Sequence, residues 1–385
     1  MAEDETRGGS RITRLTSAER DVRRASSGDS FAAIRVIGLG GAGSNAVDRM
    51  IEAEVAGVDY VTVNTDAQAL MRSQASVRIR IGDKATRGLG SGGNPALGQK
   101  AAEESGDELR EAIDNADMIF ITAGMGGGTG TGGAPVVAEL AQEGDALTVG
   151  VVTRPFEFEG ANRSRVAEEG IRELQDRVDT LVVIPNERLL TVADPKMSVN
   201  DAFALADDVL RQAIQGVSDL VTRAGLINLD FNDVRAVMTQ SGSALMALGE
   251  AQGETRAADA INEALNSPLL DISIDGARAV LLNFTGGLDM TLHEVNEAAE
   301  IVAKAADPNA NIIFGTVIDE AMEGRVRVTV IATGFHRQTT EARPHRRRAR
   351  TPGTPVVREL DFSSPSDDAT EVDIPTFLRR RSGKS

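Results

Sequence analysis

Cysteine is absent from this chain of 385 residues, and histidine occurs only three times. Without cysteine there are no disulfide bonds and no thiolate metal sites, which is consistent with a cytoplasmic protein. The histidines, His293, His336 and His345, do not have the spacing of metal ligands. A zinc site and a histidine-based catalytic triad are therefore disfavoured.

Long hydrophobic runs are also missing. No apolar run reaches the roughly 18 residues of a membrane span, and no secretory signal opens the chain. We therefore expect no transmembrane segment.

Lysine is scarce and the charge is unevenly distributed. The net charge is −17, yet residues 1–30 balance to zero and residues 336–385 carry +4, so residues 31–335 carry −21. A body this acidic is a poor nonspecific binder of nucleic acid, and we expect no nucleic-acid partner. Only five of the 41 basic residues are lysine. This composition resembles adaptation to a salty, archaeal type of cytoplasm, and a GC-rich genome that favours arginine explains it equally well.

Glycine, in contrast, is concentrated in one stretch. Seven of the ten residues from Gly124 to Gly133 are glycine, and they follow the apolar run 118–123. A helix is expected to follow from Ala134, with Pro135 near its first turn. A loop without Cβ atoms lets backbone N–H groups converge on an anion, and a helix N-terminus favours phosphate at the same place. A flexible linker is the alternative, but linkers do not usually lie between a β-rich run and a helix.

Alternating strands and helices predict an α/β fold with a doubly wound parallel sheet. The other expected strands are 32–37, 59–64, 77–81, 146–153 and 180–184. The longest predicted helix covers 200–223 and has an apolar face wide enough to be buried between two domains, with Ser198 or Asn200 as its cap. After it, strands at 243–249, 277–284, 312–318 and 326–332, with helices at 256–266 and 291–305, predict a smaller α+β domain with a four-stranded sheet.

These patterns predict six segments. They are a disordered N-terminal arm (1–30), a nucleotide-binding domain (31–198), a central helix (199–224), a C-terminal α+β domain (225–335), a disordered linker (336–370) and a short patterned tail (371–385).

A second glycine pattern, Gly38-x-Gly40-x-x-Gly43, follows the first predicted strand, and a helix is expected from Ala46 to Ala56 after it. Alone it indicates a Rossmann-type nicotinamide oxidoreductase. A dinucleotide site does not need the second, richer phosphate loop, however, and the Walker motif is missing. Phosphate charge must then be met by backbone amides, helix ends and a metal ion.

The stretch Gly126–Gly132 resembles the tubulin-superfamily signature, and the chain from Ile34 to Gly334 resembles the FtsZ family of prokaryotic cell-division GTPases. The resemblance implies GTP and GDP as ligands, Mg²⁺ as the expected ion and K⁺ as a further candidate, with no metal ligands assigned. Phe203 would stack on guanine, and Asp207 would accept from its N1–H and amine groups. The nucleotide-binding residues implied are Gly40, Gly41, Ala42, Gly43, Ser44, Asn45, Asn64, Asp66, Gly92, Gly93, Asn94, Gly126, Gly127, Gly128, Thr129, Gly130, Thr131, Gly132, Glu159, Arg163, Phe203 and Asp207.

The segment 225–235 resembles the family's catalytic loop, with Asn228, Asp230 and Asp233 as the implied catalytic residues. Two carboxylates on one helical face can orient a water molecule, although acids at a helix N-terminus are also favourable without catalysis. In the family this loop completes the site of the next subunit, which implies a head-to-tail homopolymer and an open filament.

The tail segment Asp373–Arg381 resembles the peptide by which the family docks to membrane-anchoring and regulatory division proteins. The function implied is a self-assembling GTPase that builds the cytokinetic ring at mid-cell. A tubulin-like scaffold or regulatory paralogue with little hydrolysis is the alternative.

Overall fold

The computed structural model describes residues 32–194, 196–223, 225–227, 229–268, 274 and 276–335. The N-terminal arm, the linker, the tail with Asp373–Arg381 and the candidate Asn228 lie outside the described residues.

Ten strands and twelve α-helices occur in the described residues. The strands are β1 (Ile34–Leu39), β2 (Val58–Asn64), β3 (Val77–Arg80), β4 (Met118–Gly124), β5 (Leu147–Arg154), β6 (Thr180–Pro185), β7 (Gly242–Gln252), β8 (Ala279–Gly286), β9 (Asn311–Ile318) and β10 (Arg325–Thr333). The helices are α1 (Gly40–Glu52), α2 (Ala67–Arg72), α3 (Asp83–Thr86), α4 (Pro95–Glu104), α5 (Gly106–Ile113), α6 (Thr129–Glu143), α7 (Ala161–Gln175), α8 (Asn186–Val192), α9 (Val199–Thr222), α10 (Phe231–Met238), α11 (Arg256–Leu265) and α12 (Leu292–Ala305).

The strands form one sheet in the order β3-β2-β1-β4-β5-β6-β7-β10-β8-β9. The first six strands are parallel to their neighbours, which confirms the predicted doubly wound α/β sheet. The four strands predicted for the α+β domain are all present, with β10 antiparallel to β7 and β8. They continue the first sheet because β7 pairs in parallel with β6 over three residues. Hydrophobic patterning could not reveal this junction, since periodicity identifies strands and not their lateral neighbours.

The central helix α9 contacts α1 on one side and strands β5, β8 and β9 on others. Ser198 caps it by accepting from the Asp201 N–H, which selects one of the two predicted caps. Its buried positions, including Leu210, Ile214 and Val217, join the core beneath β1, β4 and β5 to residues of β8 and β10. The predicted burial of this helix is confirmed, and it spans about 36 Å at 1.5 Å per residue.

Helices α1 and α6 begin earlier than the sequence indicates. The first starts at Gly40 rather than Ala46, and the second at Thr129 rather than Ala134. Their glycines therefore form first helical turns instead of a preceding loop. The expectation that Pro135 lies in the first turn was wrong, because it is the seventh residue of α6. Glycine's low helix propensity, about 1 kcal/mol below alanine, hid both helix starts.

Candidate functional site

Two helix N-termini meet at the carboxyl ends of neighbouring strands. Helix α1 follows β1 directly, α6 follows β4, and these two strands pair with each other. A Cβ atom on Gly40 would lie 3.1 Å from the backbone N of Gly130, so the two helix starts are adjacent. Neither helix has a side-chain cap or an acidic residue in its first turn. Unsatisfied N–H groups and two positive dipole ends therefore face one region, which suits a phosphate chain.

The glycines of this cradle serve two different purposes. A side chain at Gly128 would collide with Ser91, and one at Gly126 (φ +95°) would collide with Arg163. These two glycines allow the loop between β4 and α6 to pack closely against Ser91 and against Arg163 of α7. Other glycines would meet no protein atom within 4 Å if they carried a Cβ, and so border open space; they are Gly41, Gly92, Gly93 and Gly127.

Buried hydroxyl groups connect three of the predicted loops. The Thr129 hydroxyl lies 2.6 Å from that of Thr65 and 3.0 Å from that of Ser91. These residues come after β4, β2 and β3, so the contacts hold the signature stretch against both neighbouring loops. Thr65 and Ser91 were not among the predicted site residues.

Asn64, Asp66 and Asn94 each have a local structural role. Asn64 is buried at the end of β2 and accepts from the Asp66 N–H at 3.2 Å. Asp66 caps α2, and Asn94 caps α4 immediately before Pro95. These contacts fix the loops that carry the three side chains. The remaining members of the first loop, Ala42, Gly43, Ser44 and Asn45, lie in the first two turns of α1.

An aromatic cluster lies beyond the carboxyl end of β5. Phe203, from the start of α9, packs edge-on against Phe156 at 5.4 Å and Phe158 at 6.2 Å between ring centroids. Phe156 is fully buried, whereas Phe158 is 59% exposed and Phe203 38% exposed. The two exposed rings present apolar surface for a planar base. The sequence predicted Phe203 but not the role of Phe158 beside it.

Asp207 lies one turn after Phe203 and is only 7% exposed. Burial raises the pKa of its carboxyl group to about 6, although the nearby Arg49 lowers it. The Arg49 Nε lies 3.6 Å from Asp207 Oδ2. Arg49 was not predicted, because its contact with Asp207 joins two helices that lie far apart in the sequence.

Glu159 and Arg163, predicted to contact the nucleotide, form an ion pair of 3.1 Å. Glu159 also accepts from the Phe156 N–H at 2.9 Å, so it shapes the turn that carries the aromatic rings.

Asn186 is a further polar residue that the sequence interpretation missed. It follows the carboxyl end of β6 and is buried, and its Oδ1 has no hydrogen-bond partner among the described residues. The next residue, Glu187, accepts from the Glu157 N–H at 2.9 Å, which brings this end of α8 beside the aromatic cluster. Its position after a parallel strand, like that of Asn64, was the signal available in the sequence.

Asp230 and Asp233 lie at the other end of the sheet. Asp230 caps α10, and both side chains are exposed. Arg235, in the same helix, donates to the Asp145 carbonyl oxygen at 2.7 Å, just before β5 begins. The Thr180 hydroxyl, at the start of β6, donates to the Met238 carbonyl oxygen. The structure therefore separates these carboxylates from the glycine cradle by the length of the parallel strands, about 25 Å for eight residues.

The loop before α10 is fixed to the edge strand β9. Thr316 accepts from the Ile227 N–H through its hydroxyl at 2.8 Å and donates its own N–H to the Ile227 carbonyl oxygen at 3.1 Å. A side chain at Gly225 would collide with the Thr316 carbonyl group. The position of Asp230 is thus set by β9 as well as by α10.

Every helix in the described part of the chain is too short or too polar to form a bilayer span. The same residues contain no group of three or more histidine, aspartate or glutamate side chains placed to hold a metal ion.

Family models match both halves of the chain. The model of the GTPase domain of the Tubulin/FtsZ family matches residues 33–194, and the model of the C-terminal domain of the FtsZ family matches residues 242–336.

Solved structures give the same result. An empty FtsZ dimer from M. jannaschii is 48% identical, with a TM-score of 0.78 over 83% of this chain and 93% of that chain. GDP-bound CetZ1 from Haloferax volcanii is 22% identical, with a TM-score of 0.69 over 79% of this chain and 95% of its own. A GTPγS-bound CetZ2 protofilament from the same organism is 24% identical, with a TM-score of 0.67 over 79% and 94%. The two CetZ structures share the fold.

Proposed function

Because this chain belongs to the FtsZ family, we propose that it is a GTPase that assembles head to tail and hydrolyses GTP at the contact between subunits. The observation that carries this proposal is the separation of the glycine cradle from Asp230 and Asp233. A site whose two parts lie at opposite ends of one subunit is completed when the end of one subunit meets the beginning of the next. Such a contact repeats without closing and generates a filament.

In this proposal, the N-termini of α1 and α6 bind the phosphates. Their free N–H groups and positive dipole ends meet the negative charge, and the absence of acids from both first turns avoids repulsion. Gly41, Gly92, Gly93 and Gly127 border the space that the phosphates would fill. Mg²⁺, when bound, would neutralise phosphate charge and be held mainly by phosphate oxygens.

The base would lie against Phe158 and Phe203, the two exposed rings of the aromatic cluster. Asp207 would accept from guanine N1–H and from the exocyclic amine, a pair of donors that adenine does not offer. The unpartnered Oδ1 of Asn186 provides another acceptor beside the cluster. These groups favour guanine over adenine.

Asp230 and Asp233 would act on the nucleotide of the neighbouring subunit. Their exposed carboxylates would accept hydrogen bonds from the attacking water and orient it in line with the γ-phosphate. We assign Asn228 to the same loop by the family resemblance. Loss of the γ-phosphate would then weaken the contact that had completed the site.

We further propose the family's cellular role, a cytoplasmic filament at the mid-cell division ring. We also propose that Asp373–Arg381 is the peptide that docks to membrane-anchoring and regulatory division proteins, and that the chain is organised into the six segments predicted from its sequence. The M. jannaschii relative is described as a dimer and the CetZ2 relative as a protofilament, which supports self-association.

GTP turnover and light scattering, measured together against protein concentration at low and high salt, test the proposal. We expect turnover per subunit to rise above a threshold concentration at which scattering also appears. Scattering that rises with GTP while turnover stays negligible would favour a scaffold or regulatory paralogue. Turnover per subunit that is constant at all concentrations would reject catalysis across a subunit contact.

A further inference from the structure

Arg49 connects the phosphate cradle to Asp207, the proposed base-reading residue, within one subunit. It lies in the last turn of α1, the helix that begins at Gly40 in the phosphate cradle. Its Nε lies 3.6 Å from Oδ2 of Asp207 on α9. The Arg49 side chain is 38% exposed and that of Asp207 is 11% exposed, so the arginine reaches inward from the surface to a buried carboxylate.

A carboxylate this buried needs a charged partner to remain ionised. Of the charged groups on the elements packed against α9, Arg49 of α1 is the one whose charge acts on Asp207 in the described part of the chain. Asp208, the neighbour of Asp207 on α9, is hydrogen-bonded to Arg211 and Gln212 instead. Burial and Arg49 thus have opposite effects on the ionisation of Asp207.

Ionisation matters for reading the base. A carboxylate has two acceptor oxygens, matching the two neighbouring donors on the Watson–Crick edge of guanine. A protonated carboxyl group carries an O–H donor in place of one acceptor. That donor would face an N–H donor of guanine, so one of the two hydrogen bonds could not form. Whatever keeps Asp207 ionised therefore controls the selection of guanine.

We propose that Arg49 is the positioning residue for base selection, holding the Asp207 carboxylate ionised and directed at the base without contacting the base itself. This inference rests on the proposed function, in which Asp207 reads guanine. It assigns to α1 a second role, because the helix whose first turn binds phosphate supplies from its last turn the charge on which base recognition depends.

The test is the pH dependence of GTP binding by Arg49→Met, which keeps the length and apolar stem of the side chain. An opposite charge lowers a carboxyl pKa by about 1–3 units, so its removal should weaken GTP binding on the order of tenfold near neutral pH. Affinity should recover as the pH is raised above neutral, where the carboxyl group ionises again while guanine N1–H is still protonated. Arg49→Lys should restore most of the binding at neutral pH. Arg172→Met, which removes an exposed arginine from α7, is the matched control and should bind GTP like the unmutated protein.

A double-mutant cycle separates this role from simple packing. Asp207→Asn cannot ionise, and its amide can donate to the C2 carbonyl oxygen of xanthine, so XTP is the nucleotide to use with this variant. In this background, adding Arg49→Met should not change the pH profile of XTP binding. Circular dichroism verifies that each variant is folded. An Arg49→Met loss that is equal at all pH values, or equal for GTP and ATP, would overturn the inference, as would an unchanged GTP affinity. If the unmutated protein shows no preference for GTP over ATP, the proposed function itself fails.

Discussion

Arg235 donates a hydrogen bond of 2.7 Å to the carbonyl oxygen of Asp145, and this contact fixes α10 to the amino end of the central strands. At the other end of β5, Phe156 and the rings around it form the aromatic cluster that we propose as the base pocket. The strand that connects the two places also keeps them apart. Under the proposed function, a subunit that binds nucleotide at one end and presents Asp233 at the other needs a neighbour to bring them together.

The first prediction concerns the two carboxylates. Asp230→Asn and Asp233→Asn should each bind GTP normally and lose turnover by at least tenfold, because the neutral amide is a weaker acceptor from the attacking water. Asparagine is the informative change at Asp230, since it preserves the cap of α10, whereas alanine would also remove about 1 kcal/mol of helix stability. Steady-state phosphate release and GTP titration provide the measurement. Turnover equal to that of the unmutated protein in both variants would reject the catalytic assignment.

The second prediction tests the phosphate cradle. Gly41→Asp should leave the fold intact, because a Cβ there meets nothing within 4 Å and an acid in the first turn suits the helix dipole. The same carboxylate should repel phosphate and weaken GTP binding at least tenfold, less so at high salt. Gly106→Asp makes the same change at the start of α5, again in open space, and should not affect binding. Equal GTP affinity in the two variants would place the phosphates elsewhere.

The third prediction follows from the raised pKa of Asp207, about 6. The ionised form accepts from guanine, so GTP affinity should fall as the pH is lowered through about 6. The free energy of unfolding without nucleotide should instead rise as the pH is lowered, because the folded state retains the Asp207 proton more tightly than the unfolded state does. Stability then falls as the pH rises from the unfolded pKa to about 6 and is constant above it.

Asp207→Asn should remove both effects. Without nucleotide and at neutral pH it should increase the free energy of unfolding, on the order of 2 kcal/mol, because no charge remains buried. It should also favour XTP over GTP, since the amide donates to the C2 carbonyl oxygen of xanthine. Denaturant unfolding and nucleotide titrations across this pH range would measure both effects. A GTP affinity without a transition near pH 6 would contradict the role of Asp207.

The fourth prediction separates the three rings of the aromatic cluster. Phe158→Ala and Phe203→Ala should each weaken GTP binding by about 1–3 kcal/mol, the usual contribution of stacking on a base. Their exposure should keep the cost in stability small. Phe156→Ala should instead reduce the free energy of unfolding by about 3–5 kcal/mol, because this ring is fully buried. Isothermal titration and thermal melts distinguish the two classes. A Phe158→Ala variant with unchanged GTP affinity would remove this ring from the base pocket.

Much of the fold could be predicted because local patterns determine it. Alternation of apolar strands and helices identified the parallel sheet, and the start of α9 was predicted to lie beside Ser198 or Asn200, of which the structure selects Ser198. The junction of β6 with β7 could not be predicted, because it depends on which strand edges meet in space. The helical state of the segments that begin at Gly40 and Thr129 was also hidden, because both segments are rich in glycine, which has a low helix propensity. Tertiary packing overrides that propensity here.

The candidate site also has parts that the sequence could predict and parts that it could not. Glycines beside strand ends could be recognised, because an open backbone near a phosphate requires glycine and glycine can be read directly from the sequence. Arg49 was not visible, since its importance comes from a contact with Asp207 across two helices. The distance between the cradle and Asp233 likewise needed the structure, although the family resemblance had implied catalysis between subunits.

A mixing experiment with two inactive variants asks whether the catalytic site is shared between subunits. Asp233→Asn keeps an intact nucleotide cradle, and Gly41→Asp keeps an intact catalytic loop. Co-sedimentation of the two proteins with GTP first verifies that they associate. If the site is shared between subunits, the mixture should hydrolyse GTP well above the summed turnover of the two variants measured separately. The reason is that GTP bound to an Asp233→Asn subunit can meet the intact Asp233 of a Gly41→Asp neighbour. Turnover no greater than that sum, from variants that do co-sediment, would contradict it.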